Sequence, residues 1–264
     1  MAIDPTETDR SEPGGCAGLT IEAIPVLSDN YVFLLTRGSE AVLVDPAVAE
    51  PLIRLLNQRG LALVAVLQTH HHHDHIGGTP ELLLRWPGCR VVAAAADHDR
   101  IPFQTDGVVD GDQLTLLDQS IEVLAVPGHT RAHVAYHLAR SGDLFCGDTL
   151  FAGGCGRLFE GSPAQMWQSL QRLAALPPQT RVWCAHEYTV ANLRWACAQV
   201  NAQHDAPLAA ALAERLRQVQ QRRSEELATI PSTVALERAT NLFVRSNGPA
   251  ELAALRVSKD QWRG

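Results

Sequence analysis

Thr69-His70-His71-His72-His73-Asp74-His75-Ile76-Gly77-Gly78 is the stretch on which the fold of this chain turns, because five of its eleven histidines fall in one six-residue window. Imidazole and carboxylate are borderline ligands for zinc and its first-row neighbours, so the cluster is first of all a metal hypothesis. A solvated polar tract is the plain alternative. Against it stands the rest of the sequence, in which four apolar strand candidates each run into potential ligands. Val64-Ala65-Val66-Leu67 precedes the cluster, and Val123-Leu124-Ala125-Val126-Pro127-Gly128 precedes His129. Leu144-Phe145-Cys146-Gly147 precedes Asp148, and Val182-Trp183-Cys184-Ala185 precedes His186. Loops at one edge of a rigid sheet bring distant side chains together, and the small residues Gly128 and Gly147 let the backbone crowd that edge.

Outward from the cluster, the 264-residue chain is long enough to bury a large core, which excludes a small disulfide scaffold. Hydrophobic residues at 46% and charged residues at 19% exclude wholesale disorder. With 22 basic against 29 acidic residues and a net charge of -7, the chain is a poor nucleic-acid partner, because phosphates must be neutralised by cations. No apolar run approaches the roughly 18 residues of a membrane span, so no membrane role is expected. Residues 1–17 hold Asp4, Glu7, Asp9 and Glu12 and no apolar stretch; they fit neither a secretory signal nor a transit peptide and are expected to form a flexible arm. Six cysteines (Cys16, Cys89, Cys146, Cys155, Cys184, Cys197) form no C-x-x-C pair, which suits reduced thiols in a cytoplasmic protein.

From Leu19 to about Arg140 short apolar runs alternate with Gly, Pro and Asp. Strands are expected over 20–26, 31–36, 41–44, 63–67, 91–95, 121–126, 134–138, 144–146 and 182–184. Ser141-Gly142-Asp143 reads as a hairpin turn. Helices are expected from Ala49 to Arg59, from Thr79-Pro80 to Pro87-Gly88, and from Ser162-Pro163 to Pro177-Pro178. After Cys184 the texture changes to long polar-faced helical segments, 189–202 and 207–227. A mixed α/β part over 18–188 and a mostly helical part over 189–264 are therefore expected.

The pattern His70-x-His72-x-Asp74-His75, then Pro127-Gly128-His129-Thr130, Gly147-Asp148-Thr149-Leu150-Phe151 and Ala185-His186-Glu187-Tyr188-Thr189, resembles the metallo-β-lactamase superfamily. Gly154-Cys155-Gly156-Arg157, Tyr188-Thr189-x-x-Asn192-Leu193 and Arg256-x-x-Lys259-Asp260 narrow the resemblance to the hydroxyacylglutathione hydrolases (glyoxalase II). The resemblance implies an α/β fold, the αββα metallo-β-lactamase sandwich with a C-terminal helical domain. It implies that His70, His72 and His129 hold one metal, that Asp74, His75 and His186 hold the other, and that Asp148 bridges them. Three protein ligands plus the bridge leave each ion open positions for water and substrate, as catalytic sites require. Asp74 and Asp148 are then the catalytic side chains, and a hydroxide held between the metals is the nucleophile. Cys146 and Cys155 receive no catalytic role. Asp45, at the end of the strand 41–44, matches a position that would orient a ligand imidazole, although a turn Asp before Pro46 explains it equally well. His71, His73, His98, His133, His137 and His204 are not expected to be ligands.

Substrate recognition points to the tail. Arginine outnumbers lysine 21 to one, and the single lysine is Lys259. Either position 259 wants a compact ammonium where arginine serves elsewhere, or one lysine survives there by chance. By resemblance Arg256 and Lys259 bind the glutathione carboxylates, with Arg157, Tyr188 and Asn192 completing the pocket and Phe159 standing where many relatives carry Tyr. Ala185 stands where Gly is usual. The implied reaction is hydrolysis of S-(2-hydroxyacyl)glutathione, typically S-D-lactoylglutathione, to glutathione and D-lactate, a step of methylglyoxal detoxification. Two divalent metal ions are the implied cofactors, zinc first and iron or manganese as alternatives. A monomer is expected. An iron-dependent persulfide dioxygenase or another hydrolase of the same fold is the enzymatic alternative, and a metal store without turnover is the non-enzymatic one.

Overall fold

The apolar runs Thr20–Val26, Asn30–Arg37 and Glu40–Val44 form β1, β2 and β3, an antiparallel meander with β1 at its edge. Both faces of β2 are buried: Phe33 and Leu35 point to one side, Val32 and Leu34 to the other, as the period of two requires. The computed structural model describes residues 18–263, so the expected arm over 1–17 lies outside the described residues, as does Cys16. Helix α1 (Glu50–Gln58) leads into β4 (Ala62–Leu67). A single turn, α2 (His73–Ile76), is followed by α3 (Thr79–Arg85), β5 (Arg90–Ala94) and β6 (Asp106–Val108). Strands β3 to β6 run parallel, and the first sheet has the order β1-β2-β3-β4-β5-β6.

The second sheet begins with β7 (Gln113–Leu116), β8 (Gln119–Ala125), β9 (Val134–Leu138) and β10 (Asp143–Gly147). A small hairpin of β11 (Leu150–Phe151) and β12 (Gly154–Cys155) precedes α4 (Pro163–Ala174), whose Ser162 and Gln165 form a reciprocal capping box. Then come β13 (Arg181–Cys184), α5 (Thr189–Gln199), α6 (Ala206–Ser224), β14 (Ser232–Thr233), α7 (Val234–Thr240), α8 (Leu242–Arg245) and α9 (Pro249–Gln261). The order is β14-β13-β10-β9-β8-β7, with β10 and β13 parallel.

Between the sheets Phe33 packs on Phe145 at 5.3 Å and on Trp183 at 5.7 Å. Outside the first sheet, Leu52 and Leu56 of α1 and Leu82 of α3 cover Val32, Leu34, Leu43, Val66 and Val91. Met166, Leu170 and Leu173 of α4 join the core of the second sheet, together with Trp195, Phe243 and Leu252 from the later helices. This is an αββα sandwich with a helical C-terminal region. The expected strands all form, within one or two residues at each end. Five short strands were not expected: β6, β7, β11, β12 and β14, of two to four residues each. Runs that short carry no periodicity, and their pairing comes from tertiary context. One of them matters for the architecture: β14, beyond residue 188, pairs with β13 and extends the second sheet.

The parallel relations carry the site. The C-terminal ends of β3, β4, β8, β10 and β13 all open on one edge of the sandwich, where α/β sheets bind ligands.

Candidate metal centre and adjoining cavity

Each strand end delivers its predicted side chain to that edge. After β4 the chain passes through His70 to His72, whose backbone is extended, and the turn of α2 then swings Asp74 and His75 around to the same side. His73 is exposed, and His71 turns away to Asp97 (3.4 Å) and Arg100 (3.2 Å). His70 Nε2 lies 3.0 Å from His72 Nδ1, which lies 3.0 Å from His129 Nε2. Across from this trio, His75 Nε2 and His186 Nε2 stand 3.6 and 3.5 Å from Asp74 Oδ2. Asp148 sits between the groups: its Oδ2 is 3.3 Å from His129 Nε2, and its Oδ1 is 3.5 Å from His75 Nε2 and 3.3 Å from His186 Nε2. All seven side chains predicted from sequence are thus brought together.

The chemistry of these contacts fits divalent cations. Four imidazoles have their outer nitrogen committed as a donor. His75 Nδ1–H donates to Asp45 Oδ2 (2.9 Å), His129 Nδ1–H to the Arg157 carbonyl (2.8 Å) and His186 Nδ1–H to Asp29 Oδ1 (2.8 Å). Thr69 Oγ1 donates to Asp45 (2.6 Å) and so accepts from His70 Nδ1–H at 3.0 Å. The outer nitrogens are thereby committed, and each inner Nε2 is left facing the centre. His75 Nε2 and Asp148 Oδ1 are buried without any hydrogen-bond partner, an arrangement that is costly unless a cation completes it. The ligand atoms of His70, His72 and His129, and those of Asp74, His75 and His186, lie within 4.8 Å of one another in each group.

Electrostatics distinguish the two groups. Burial and mutual repulsion push His70 well below the ordinary imidazole range and His72 down to about 4, and burial lowers His129 as well. These three are neutral and ready to ligate at neutral pH. For His75 burial is outweighed by Asp148 and Asp45, with Asp74 adding to them, and its pKa rises to about 9. His186 is likewise raised against its burial by Asp148, while Asp148 itself is held down by His75 and His186 despite full burial. The second group is an excess of carboxylate that calls for positive charge.

A cavity of about 700 Å³ opens from the centre, lined by His72, Asp74, His129, Asp148 and His186 and also by Arg157, Arg256 and Lys259. Phe159, 62% exposed, stands over the rings of His72 (5.6 Å) and His129 (5.2 Å). Tyr188 stacks on His186 at 4.7 Å with the planes 5° apart. Asn192 is buried and donates to the Ala152 carbonyl (3.2 Å), which holds the β11–β12 hairpin. Arg256 is mostly buried; it donates to the Cys155 carbonyl (2.8 Å) and to Asp260 (2.8 Å). Lys259 donates to the Ala191 carbonyl (2.9 Å) between the rings of Trp195 and Trp262. Burial and the neighbouring Arg256 lower Lys259 to about 8.

Residues 27–186 match the family model for the metallo-beta-lactamase superfamily, and residues 187–262 match that for the hydroxyacylglutathione hydrolase C-terminus. A hydroxyacylglutathione hydrolase of Prochlorococcus marinus (strain MIT 9303) is 56% identical over 250 residues, 92% of this chain and 94% of the relative. The chain belongs to the hydroxyacylglutathione hydrolase family. Two solved structures are similar in fold. ETHE1 from Myxococcus xanthus has a TM-score of 0.68 at 24% identity over 92% of both chains, and at that identity shows the fold alone. TTHA1623 in a di-iron-bound form has a TM-score of 0.53 at 31% identity over 63% of this chain and 91% of its own.

In this member of the hydroxyacylglutathione hydrolase family the ligating residue types stand out in sequence, whereas their supports do not. The structure adds Asp29, Asn30, Thr69 and His133. His133 is buried, stacks on His70 (4.6 Å) and accepts the Asp148 backbone N–H (3.1 Å), yet nothing separates it in sequence from His137. Asp29-Asn30 reads only as a turn between two strands. Cys146 is buried and donates to the Leu150 carbonyl (3.1 Å), and Cys155 is a buried thiol raised by that burial to about 11. Both are inert in this setting.

Proposed function

We propose that this protein hydrolyses S-(2-hydroxyacyl)glutathione, S-D-lactoylglutathione first among them, to glutathione and the 2-hydroxy acid. The observation that carries the proposal is the single cavity whose lining holds the His/Asp centre together with Arg157 and Lys259. That lining suits a substrate with a reactive acyl end and an anionic peptide end. His70, His72 and His129 would hold one divalent cation and Asp74, His75 and His186 a second, with Asp148 shared. When bound, such a pair lowers the pKa of a shared water toward neutrality and polarises the carbonyl under attack.

The chain's own residues do the rest. Asp74 and Asp148 orient the attacking water with carboxylate oxygens that face the cavity. Tyr188, whose phenol is raised by burial and by Asp29, keeps its proton and can donate it to substrate in a hydrogen bond. Lys259 and Arg157 draw in the glycyl and γ-glutamyl carboxylates; Arg256, to which the resemblance gave a carboxylate, is buried with its guanidinium committed to Cys155 and Asp260 and braces this wall instead. Phe159 supplies an apolar face against His72 and His129 and no hydroxyl contact. The leaving thiolate, whose thiol has an ordinary pKa of about 8.5, departs without a protein acid and takes its proton from solvent.

In this reading residues 18–188 form the catalytic part and residues 189–264 the substrate wall. The ligand set holds no cysteine, which suits zinc and also admits iron or manganese. The di-iron form of TTHA1623 supports a pair of cations here. The five described cysteines are free, which supports a reducing cytoplasm, and no described helix is long and apolar enough to cross a membrane. The test is release of free thiol from S-D-lactoylglutathione by the purified protein, with and without oxygen. Turnover that persists without oxygen is expected. No thiol release from any glutathione thioester would contradict the proposal, and a strict need for oxygen would point to persulfide oxidation. Replacing Lys259 with Ala should raise KM with little loss of kcat, since its contacts are made equally in ground and transition states.

A further inference from the structure

The turn between β1 and β2 reaches the metal centre from a part of the chain that contributes none of the seven proposed ligands. Leu27 adopts φ 52, and the following residues fold over the second ligand group. Asp29 Oδ1 accepts from His186 Nδ1–H at 2.8 Å, and its other oxygen accepts from Ser28 Oγ at 3.1 Å. Its neighbour Asn30 donates from Nδ2 to Asp74 Oδ2 and to the Asp74 carbonyl, both at 3.1 Å. Backbone contacts lock the turn in place: Glu187 N–H donates to the Asp29 carbonyl (2.8 Å), Tyr31 N–H donates to the Ala185 carbonyl (2.7 Å), and Asn30 bridges His186.

Two of the three proposed ligands of the second cation are therefore held by hydrogen bonds to adjacent residues of one turn, His186 through its outer nitrogen and Asp74 through Oδ2 and its backbone carbonyl. The first group takes none from it: His70 is held by Thr69 and His129 by the Arg157 carbonyl. We infer that the β1–β2 turn is a positioning clamp for the second cation, in which Asp29 fixes the tautomer and aim of His186 and Asn30 fixes the aim of Asp74. Without Asp29 the His186 ring is free to rotate or to move its proton onto Nε2, and either removes the lone pair a cation needs. Asp29 and Asn30 act through the ligands and are positioning residues. Asp29 has a side chain 34% exposed, so its truncation opens no buried cavity.

The inference rests on the ligand assignment proposed above, and cation counting separates the two. Full-length wild type, D29A, D29N and N30A are stripped of metal, titrated with zinc against a chromophoric chelator, and counted by elemental analysis, with no use of turnover. Wild type is expected to hold two cations per chain. D29A is expected to keep the first at wild-type affinity and to bind the second roughly 10- to 100-fold more weakly, the usual effect of losing such a partner. D29N, whose amide oxygen still accepts from His186, restores the second cation to within a few-fold, and N30A weakens it as D29A does. Circular dichroism of the stripped proteins shows that each is folded. D29A holding two cations at wild-type affinity, or losing both together, overturns the clamp. Wild type holding fewer than two overturns the ligand assignment, and the clamp with it.

Discussion

Lys259 shows how one residue ties the electrostatics of the cavity to a measurable profile. Its ammonium is lowered to about 8 by burial and by Arg256, so it is charged at neutral pH and loses its proton as pH rises through that value. An anionic substrate loses a charge-assisted hydrogen bond on the same rise, worth about 1.5–3 kcal/mol. The account predicts that kcat/KM falls roughly tenfold or more above about pH 8 while kcat stays level, since kcat/KM reports the free enzyme. K259R, which cannot be deprotonated, should abolish the fall; a wild-type profile flat to pH 10 would remove Lys259 from the binding wall. At this scale the ligands were legible because metal chemistry admits few residue types, and His70, His72 and Asp148 have few substitutes. Their supports were not. Asp45 emerged only by resemblance, and Asp29 and His133 not at all, because an imidazole N–H can donate to a carboxylate, a hydroxyl or a backbone carbonyl, and all three occur here.

Among the elements, the β11–β12 hairpin matters most, since it joins the metal centre to the cavity wall. A buried network anchors it from the C-terminal helices. Arg215 of α6 pairs with Glu237 of α7, whose other oxygen accepts the Gly153 N–H at 2.8 Å, and Asn241 donates to the carbonyls of Phe151 and Gly154. E237A would leave Arg215 buried and unpaired, and should destabilise the fold by about 3–5 kcal/mol in denaturant unfolding. E237Q keeps most of the bonds and should lose much less. Close approach matters beside the hairpin too, where a Cβ on Gly156 would lie 1.9 Å from the Asp148 carbonyl oxygen. G156A should push Asp148 out of place and cost the protein bound cation as well as kcat, which elemental analysis and a thiol-release assay would both register. Long strands such as β2 and β9 could be read from their apolar runs. The two-residue strands β11, β12 and β14 could not, because nothing local makes them extended; Asn241 and the pairing with β13 do.

For the whole molecule, the two sheets bring three carboxylates, Asp45, Asp74 and Asp148, around His75 and leave its inner nitrogen without a partner. Bound cations should therefore stabilise the folded chain, and by linkage a cation at 100 times its Kd adds about 2.7 kcal/mol. Chelation is expected to lower Tm and zinc to restore it, while an unchanged Tm would mean that the centre stands complete without metal. The sandwich and its open edge were legible from four apolar runs ending in ligand types. That the region after residue 188 lends a strand to the second sheet was not, since β14 is two residues long. The central claim is that seven side chains from four separate places in the chain enclose a pair of cations. Anomalous scattering at the zinc edge from crystals of the zinc-loaded protein tests it most directly. The account predicts two peaks per chain, one among His70, His72 and His129 and one among Asp74, His75 and His186, with Asp148 touching both; a single peak, or peaks away from these residues, would contradict it.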